Sequence, residues 1–230
     1  MNIAWLQLLP AVILLWLPRQ MLRIGGRVFE FQRHHRRRYP LDTNPAKTRD
    51  PNDPSVSFRT EIVKLRNTID FLRAGLGTVM LLGGMPGTEP AWQTMPGADA
   101  ESVRLATYGR LGILLVGVLI QLFRFEHRSM LFAPIFYLTG VTIGLSGFAA
   151  GGFAVLLVWL VNPVLPNPAA FLAVHALLVV LLGTLFLGLG DLRPLLNAGL
   201  VFLPVVVSFL ARRPLVQLSK RVKVSSSPLR

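Results

Sequence analysis

Between Ser129 and Gly190 the chain runs for 62 residues without a single Asp, Glu, Lys or Arg, and its one histidine there is His175. A soluble domain needs charge to keep its surface wet, whereas about 20 uncharged apolar residues suffice for one membrane-spanning helix. A neutral run three times that long predicts an all-α, polytopic helical bundle in lipid. Only 15% of the residues are charged, against about a quarter in ordinary soluble domains.

The net charge of +13 is unevenly placed: twelve Lys and Arg lie between Arg19 and Arg66, and six between Arg212 and Arg230. Basic segments flanking apolar spans mark the cytoplasmic side of a membrane. Both regions are therefore expected inside, with the amino terminus outside, in a bacterial cytoplasmic membrane. With few aromatic side chains among the basic ones, the charge is read as a topology signal, and no nucleic-acid partner is expected. The chain has no cysteine, which removes disulfides, thiolate metal sites and cysteine nucleophiles together.

Four regions follow: an anchor over 1–24, a basic cytoplasmic segment over 25–68, a membrane domain over 69–211 and a basic tail over 212–230. Ile3 to Leu17 is apolar with Trp5 and Trp16 near its ends. It can span if Arg19 and Arg23 snorkel outward, although Pro10 also suits a helix lying in the interface. Asp53-Pro54 has the form of a helix cap and first position. Beyond it Phe58, Ile62, Leu65, Ile69, Leu72 and Leu76 recur every three or four residues. This stripe predicts an amphipathic helix along the cytoplasmic surface, its apolar face packed on neighbouring spans in preference to docking a partner protein. Arg66, Asp70 and Arg73 fall on another face, where Asp70 can pair with either arginine.

The helix is expected to lead into a second span near Ile69 to Met85, and an acidic external loop follows from Thr88 to Ser102. A third span covers Leu111 to Phe123, with Arg110 reaching the headgroups at its outer end. The basic tail must return to the same side as the turn at Arg124–Arg128, so the crossings between them must be even. Ala169–Gly190 and Ala198–Ala211 supply two. Met130–Leu165 is too long for one helix and supplies two short ones, turning near Gly147 to Gly152. Seven spans result, with six as the competitor.

Chemical signals are sparse, and no metal or other cofactor is expected. Arg33, Arg36, Arg37 and Arg38 form the densest cationic cluster, suited to anionic lipid headgroups. Gly140 and Gly144, and Gly147 and Gly151, have the small-xxx-small spacing of packed helices. Gly144-Leu145-Ser146-Gly147 is similar to the pattern around the nucleophile of rhomboid intramembrane proteases, which makes Ser146 and His175 a candidate catalytic pair. Helix order opposes the pairing, because Ser146 falls at an outer turn and His175 early in a helix starting from the cytoplasmic side. His175 with His127 is a haem alternative, and Asn162 and Asn197 suit broken helix ends. The chain is thus expected to be a structural, assembly or interaction component of a membrane. Its partners would be anionic lipid and another membrane protein or a second copy. A small-solute permease is the alternative.

Overall fold

The computed structural model describes residues 2–19, 21, 61–83, 89–94, 99–123, 131–213 and 215–216. Arg33, Arg36, Arg37, Arg38, the expected Asp53-Pro54 cap and His127 lie outside them. The protein is all-helical: α1 (Trp5–Trp16), α2 (Leu65–Leu82), α3 (Ala100–Leu122), α4 (Ile135–Val161), α5 (Pro168–Leu187) and α6 (Arg193–Leu210). Four two-residue strands accompany them, β1 (Asn2–Ile3), β2 (Trp92–Gln93), β3 (Leu131–Phe132) and β4 (Leu215–Val216).

By length and composition four segments are long and apolar enough to cross a membrane, Ala100–Leu122, Ile135–Val164, Pro168–Leu187 and Arg193–Leu210. Local chemistry sets several boundaries. The Asp99 side chain accepts from the Ser102 amide and hydroxyl at the start of α3. Asn167 caps α5 by accepting from the Ala170 amide at 2.8 Å, with Pro168 as the first helical residue. Asp99 extends α3 to a start eleven residues before Leu111, the expected one.

The long α4 is folded upon itself. Gly147 has φ 78° and ψ 171°, a backbone region reserved for glycine. The rings of Phe136 and Trp159 are 5.3 Å apart, although a straight helix would separate them by about 35 Å. Gly151 lies against the backbone of Thr142 and Ile143, where a Cβ would come within 2.7 Å of the Thr142 carbonyl oxygen. The segment is therefore a hairpin with arms on either side of Gly147, as the expected turn near 147–152 implied.

Counting the hairpin as two, the described chain makes seven passes between two ends. The β1–β2 pairing ties residues 2–3 to 92–93 at the amino-terminal end, where Gly147 also turns. The parallel β3–β4 pairing sets Leu131 beside Leu215 at the carboxy-terminal end. Two arms, α5 and α6 thus separate neighbouring residues, an even number of passes.

The two most extensive packings are α2 on α4 and α5 on α6. Glycine permits the first. A Cβ at Gly144 would sit 2.6 Å from Thr78 Cβ, and one at Gly140 would strike the Phe71 carbonyl oxygen. Gly112 of α3 has nothing within 4 Å of the same position. Gly140→Val should therefore destabilise the folded protein by several kcal/mol, as a backbone collision cannot relax by side-chain rotation. Gly112→Val should stay within about 1 kcal/mol. Equilibrium unfolding in mixed detergent micelles measures both, and equal losses would contradict this packing.

Candidate functional site

The helix expected to turn its leucines inward does the reverse. In α2, Asn67, Asp70 and Arg73 are buried, whereas Leu65, Leu72 and Leu76 are 73%, 58% and 47% exposed. The stripe was legible, but its assignment to neighbouring spans is corrected. Periodicity identifies two faces of a helix without saying which solvent each meets. Where the surroundings are hydrocarbon, the apolar face turns outward and charges face the bundle interior.

The inward face of α2 meets the end of α1, and the local problem there is unpaired backbone. A helix leaves its last four carbonyls without intrahelical donors, and in α1 those are followed by Pro18, which ends the run. Leu17 N–H takes the Ile13 carbonyl at 3.0 Å. Arg73 Nη1 donates to the Leu14 carbonyl at 3.1 Å and also to that of Leu17. Tyr137 Oη, from the first arm of α4, donates to the Leu15 carbonyl at 3.1 Å. Gln121 Nε2, from α3, donates to the Leu17 carbonyl at 3.0 Å. Three helices thus cap a fourth, and the cation sits at the negative end of its dipole.

Charge balance is met alongside. Arg73 Nε donates to Asp70 Oδ1 at 2.9 Å, and Arg19 Nε lies 3.0 Å from Asp70 Oδ2. Asp70 was expected to choose between Arg66 and Arg73; it pairs with Arg73 and with Arg19, which no helical spacing could reveal. Arg19 was expected to snorkel outward, but its Nη2 also donates to Asn67 Oδ1 at 2.5 Å. Gln121 Oε1 accepts from the Arg19 amide and from Arg73 Nη2, at 3.1 and 2.9 Å. The Arg73 guanidinium also lies 5.3 Å from the centre of the Tyr137 ring, a cation–π distance. Glycine again makes room, as a Cβ at Gly117 would meet Tyr137 Oη at 2.5 Å.

A second polar group sits at the hairpin. Asn197 Nδ2 donates to Ser146 Oγ at 2.7 Å and to the Thr142 carbonyl at 3.3 Å, so Asn197 serves a broken helix end. Ser146 is therefore engaged with α6. His175 is fully buried beside Phe171, at 6.1 Å between ring centres, and neither ring nitrogen has a hydrogen-bond partner among the described residues. The structure does not bring Ser146 and His175 into hydrogen-bonding contact. Of the glycines, Gly140, Gly144 and Gly151 lie at close backbone approaches, while Gly147 makes the turn. Arg110 bonds the Trp92 carbonyl oxygen through Nε at 3.1 Å, in place of the expected reach to headgroups. Among the described residues no three His, Cys, Asp or Glu are grouped to hold a metal ion.

Removing one member of a buried ion pair costs about 3–5 kcal/mol, because the other is left charged and unpaired. Asp70→Asn and Arg73→Met should each lose stability of that order. The Asp191–Arg193 pair at the surface, 2.5 Å apart, should lose no more than about 1 kcal/mol in Asp191→Asn. Unfolding titrations in mixed micelles distinguish these magnitudes. An Arg73→Met variant as stable as Asp191→Asn would refute the capping role.

Comparison with protein-family models, with curated proteins and with solved structures returned no match, so the site is read from its own geometry.

Proposed function

We propose that this protein is a polytopic integral membrane protein in which all seven passes cross the bilayer, acting as a structural, assembly or interaction component rather than a catalyst. The observation that carries the reading is the inverted α2, with Asp70 and Arg73 enclosed by other helices and Leu65, Leu72 and Leu76 outside. Length and composition count only four spans because α1 is short, α2 carries three charges and α4 is folded in two. The non-catalytic role is supported by how the polar side chains are used. The groups around Asp70 and Arg73 are consumed in pairing one another and capping α1, and Ser146 is held by Asn197.

The carboxy-terminal end is the cytoplasmic one in this reading. Arg19, Lys64, Arg66, Arg73, Arg212 and Arg213 lie there, opposed among the described residues by Glu61 and Asp70. Glu89, Asp99, Glu101 and Asp191 lie towards the other end, with Arg104, Arg110 and Arg193. Such asymmetry sets orientation by the positive-inside rule. The cluster Arg33, Arg36, Arg37 and Arg38 then faces anionic lipid of the inner leaflet.

A small-solute permease is the second reading. It is favoured by the α4 hairpin, whose glycine break is met by Asn197, since broken helices with polar partners build transport sites.

The absence of cysteine makes single-cysteine labelling direct. In right-side-out vesicles, Ser102→Cys should react with an impermeant maleimide, and Arg213→Cys only after permeabilisation. The protein should remain in the pellet after alkaline carbonate. Release by carbonate, or labelling of both positions from one side, would contradict the seven-pass arrangement.

A further inference from the structure

Surplus positive charge gathers where α1 ends and α2 begins. Lys64 closes on Glu61 at 2.6 Å, and Asp70 is shared by Arg73 and Arg19. Arg66 is exposed and has no acidic partner among the described residues. Arg19 reaches α2 at Asn67 and Asp70, the residues one and four positions after Arg66. Burial is the main influence holding the Arg19 guanidinium below its usual pKa; Asp70 and Glu61 oppose that, and Arg66 and Arg73 add to it. Among the described residues four cations therefore meet two carboxylates where α1 ends and α2 begins, and the Arg19 side chain keeps 26% of its surface exposed. Excess charge in a partly desolvated position is unfavourable until an anion joins it.

The surroundings define the anion further. Leu65 and Leu72, seven residues apart on one face of α2, are 73% and 58% exposed beside this junction. A free inorganic ion would use the guanidinium groups and leave that surface bare, whereas a phospholipid satisfies both. We infer that Arg66 and the outer edge of Arg19 hold the phosphate of an anionic phospholipid, with its acyl chains laid along Leu65 and Leu72. The site is built from residues of the bundle itself, whereas Arg33, Arg36, Arg37 and Arg38 lie outside the described residues. The inference rests on the membrane reading above, with the carboxy-terminal end at headgroup depth.

The test is a lipid titration of the purified full-length protein in neutral detergent, read by native mass spectrometry and thermal unfolding. The probes are phosphatidylglycerol, phosphatidylcholine and inorganic phosphate. Phosphatidylglycerol should bind and raise the midpoint, and the other two should not. Its affinity should fall about tenfold in Arg66→Gln, the size of one charge-assisted hydrogen bond. It should be largely kept in Arg66→Lys and unchanged in Arg104→Gln, which removes a cation near the opposite end. Equal binding of phosphatidylcholine, no phosphatidylglycerol binding, or an undiminished affinity in Arg66→Gln would overturn the inference. Stabilisation by inorganic phosphate alone would show an ion site without lipid. A lipid effect abolished only when Arg33, Arg36, Arg37 and Arg38 are replaced would assign it to that cluster. Failure on any of these counts while the protein still resists carbonate extraction would sink the lipid site and leave the membrane reading standing.

Discussion

A carbonyl that has lost its helical donor must find another, and in hydrocarbon there is no water to supply it. Helix α1 is only 12 residues long, about 18 Å, against a bilayer core of about 30 Å, so its last turn ends short of the membrane surface and its carbonyls cannot rely on water there. Its final carbonyls are met instead by Arg73, Tyr137 and Gln121 from three other helices. Much of the architecture follows from that requirement. Arg73 has donors enough to serve two carbonyls, Asp70 balances its charge, and Arg19 closes the group from the chain just beyond α1. The glycines at positions 117 and 140 let the donors and their helices come close enough.

The same requirement recurs on a smaller scale at the hairpin. The first arm of α4 stops at Gly147, and the amide of Asn197 reaches its Thr142 carbonyl and Ser146 hydroxyl from α6. In both places a helix that stops within the bundle is completed by a polar side chain from another helix. At these two places buried polarity is tied to an interrupted helix. His175 is not so used: it is fully enclosed, and neither nitrogen is bonded among the described residues.

What the chain revealed in advance depended on the range of the interaction. The neutral run between Ser129 and Gly190 and the basic flanks made the helical class legible. The requirement for an even number of passes placed a reversal near Gly147, because composition and chain length alone fix that argument. Small-xxx-small spacing marked Gly140 and Gly144, since a close approach between helices leaves a local trace. The polar site left none. Arg19 and Asp70 are far apart in sequence, as are Tyr137 and Leu15, and no periodicity encodes such pairings. The stripe in α2 was visible but ambiguous, because a leucine face looks the same whether it meets protein or lipid. Three charges in that helix suggested an aqueous face, when two of them, Asp70 and Arg73, belong to an enclosed network and only Arg66 is exposed. A hint lay in Asp70 and Arg73 occurring within a stretch otherwise apolar enough to span, where ionisable groups point to an interior partner.

The central claim is that α2 carries Asp70 and Arg73 inward and Leu72 and Leu76 to lipid, and spin labels measure it most directly. Nitroxides placed by Leu72→Cys and Leu76→Cys in reconstituted bilayers can be probed with molecular oxygen and with a water-soluble nickel chelate. The account predicts strong collision with oxygen and little with nickel at both positions. Strong nickel collision would place that face in water, and exclusion of both reagents would place it against protein; either result would contradict the account.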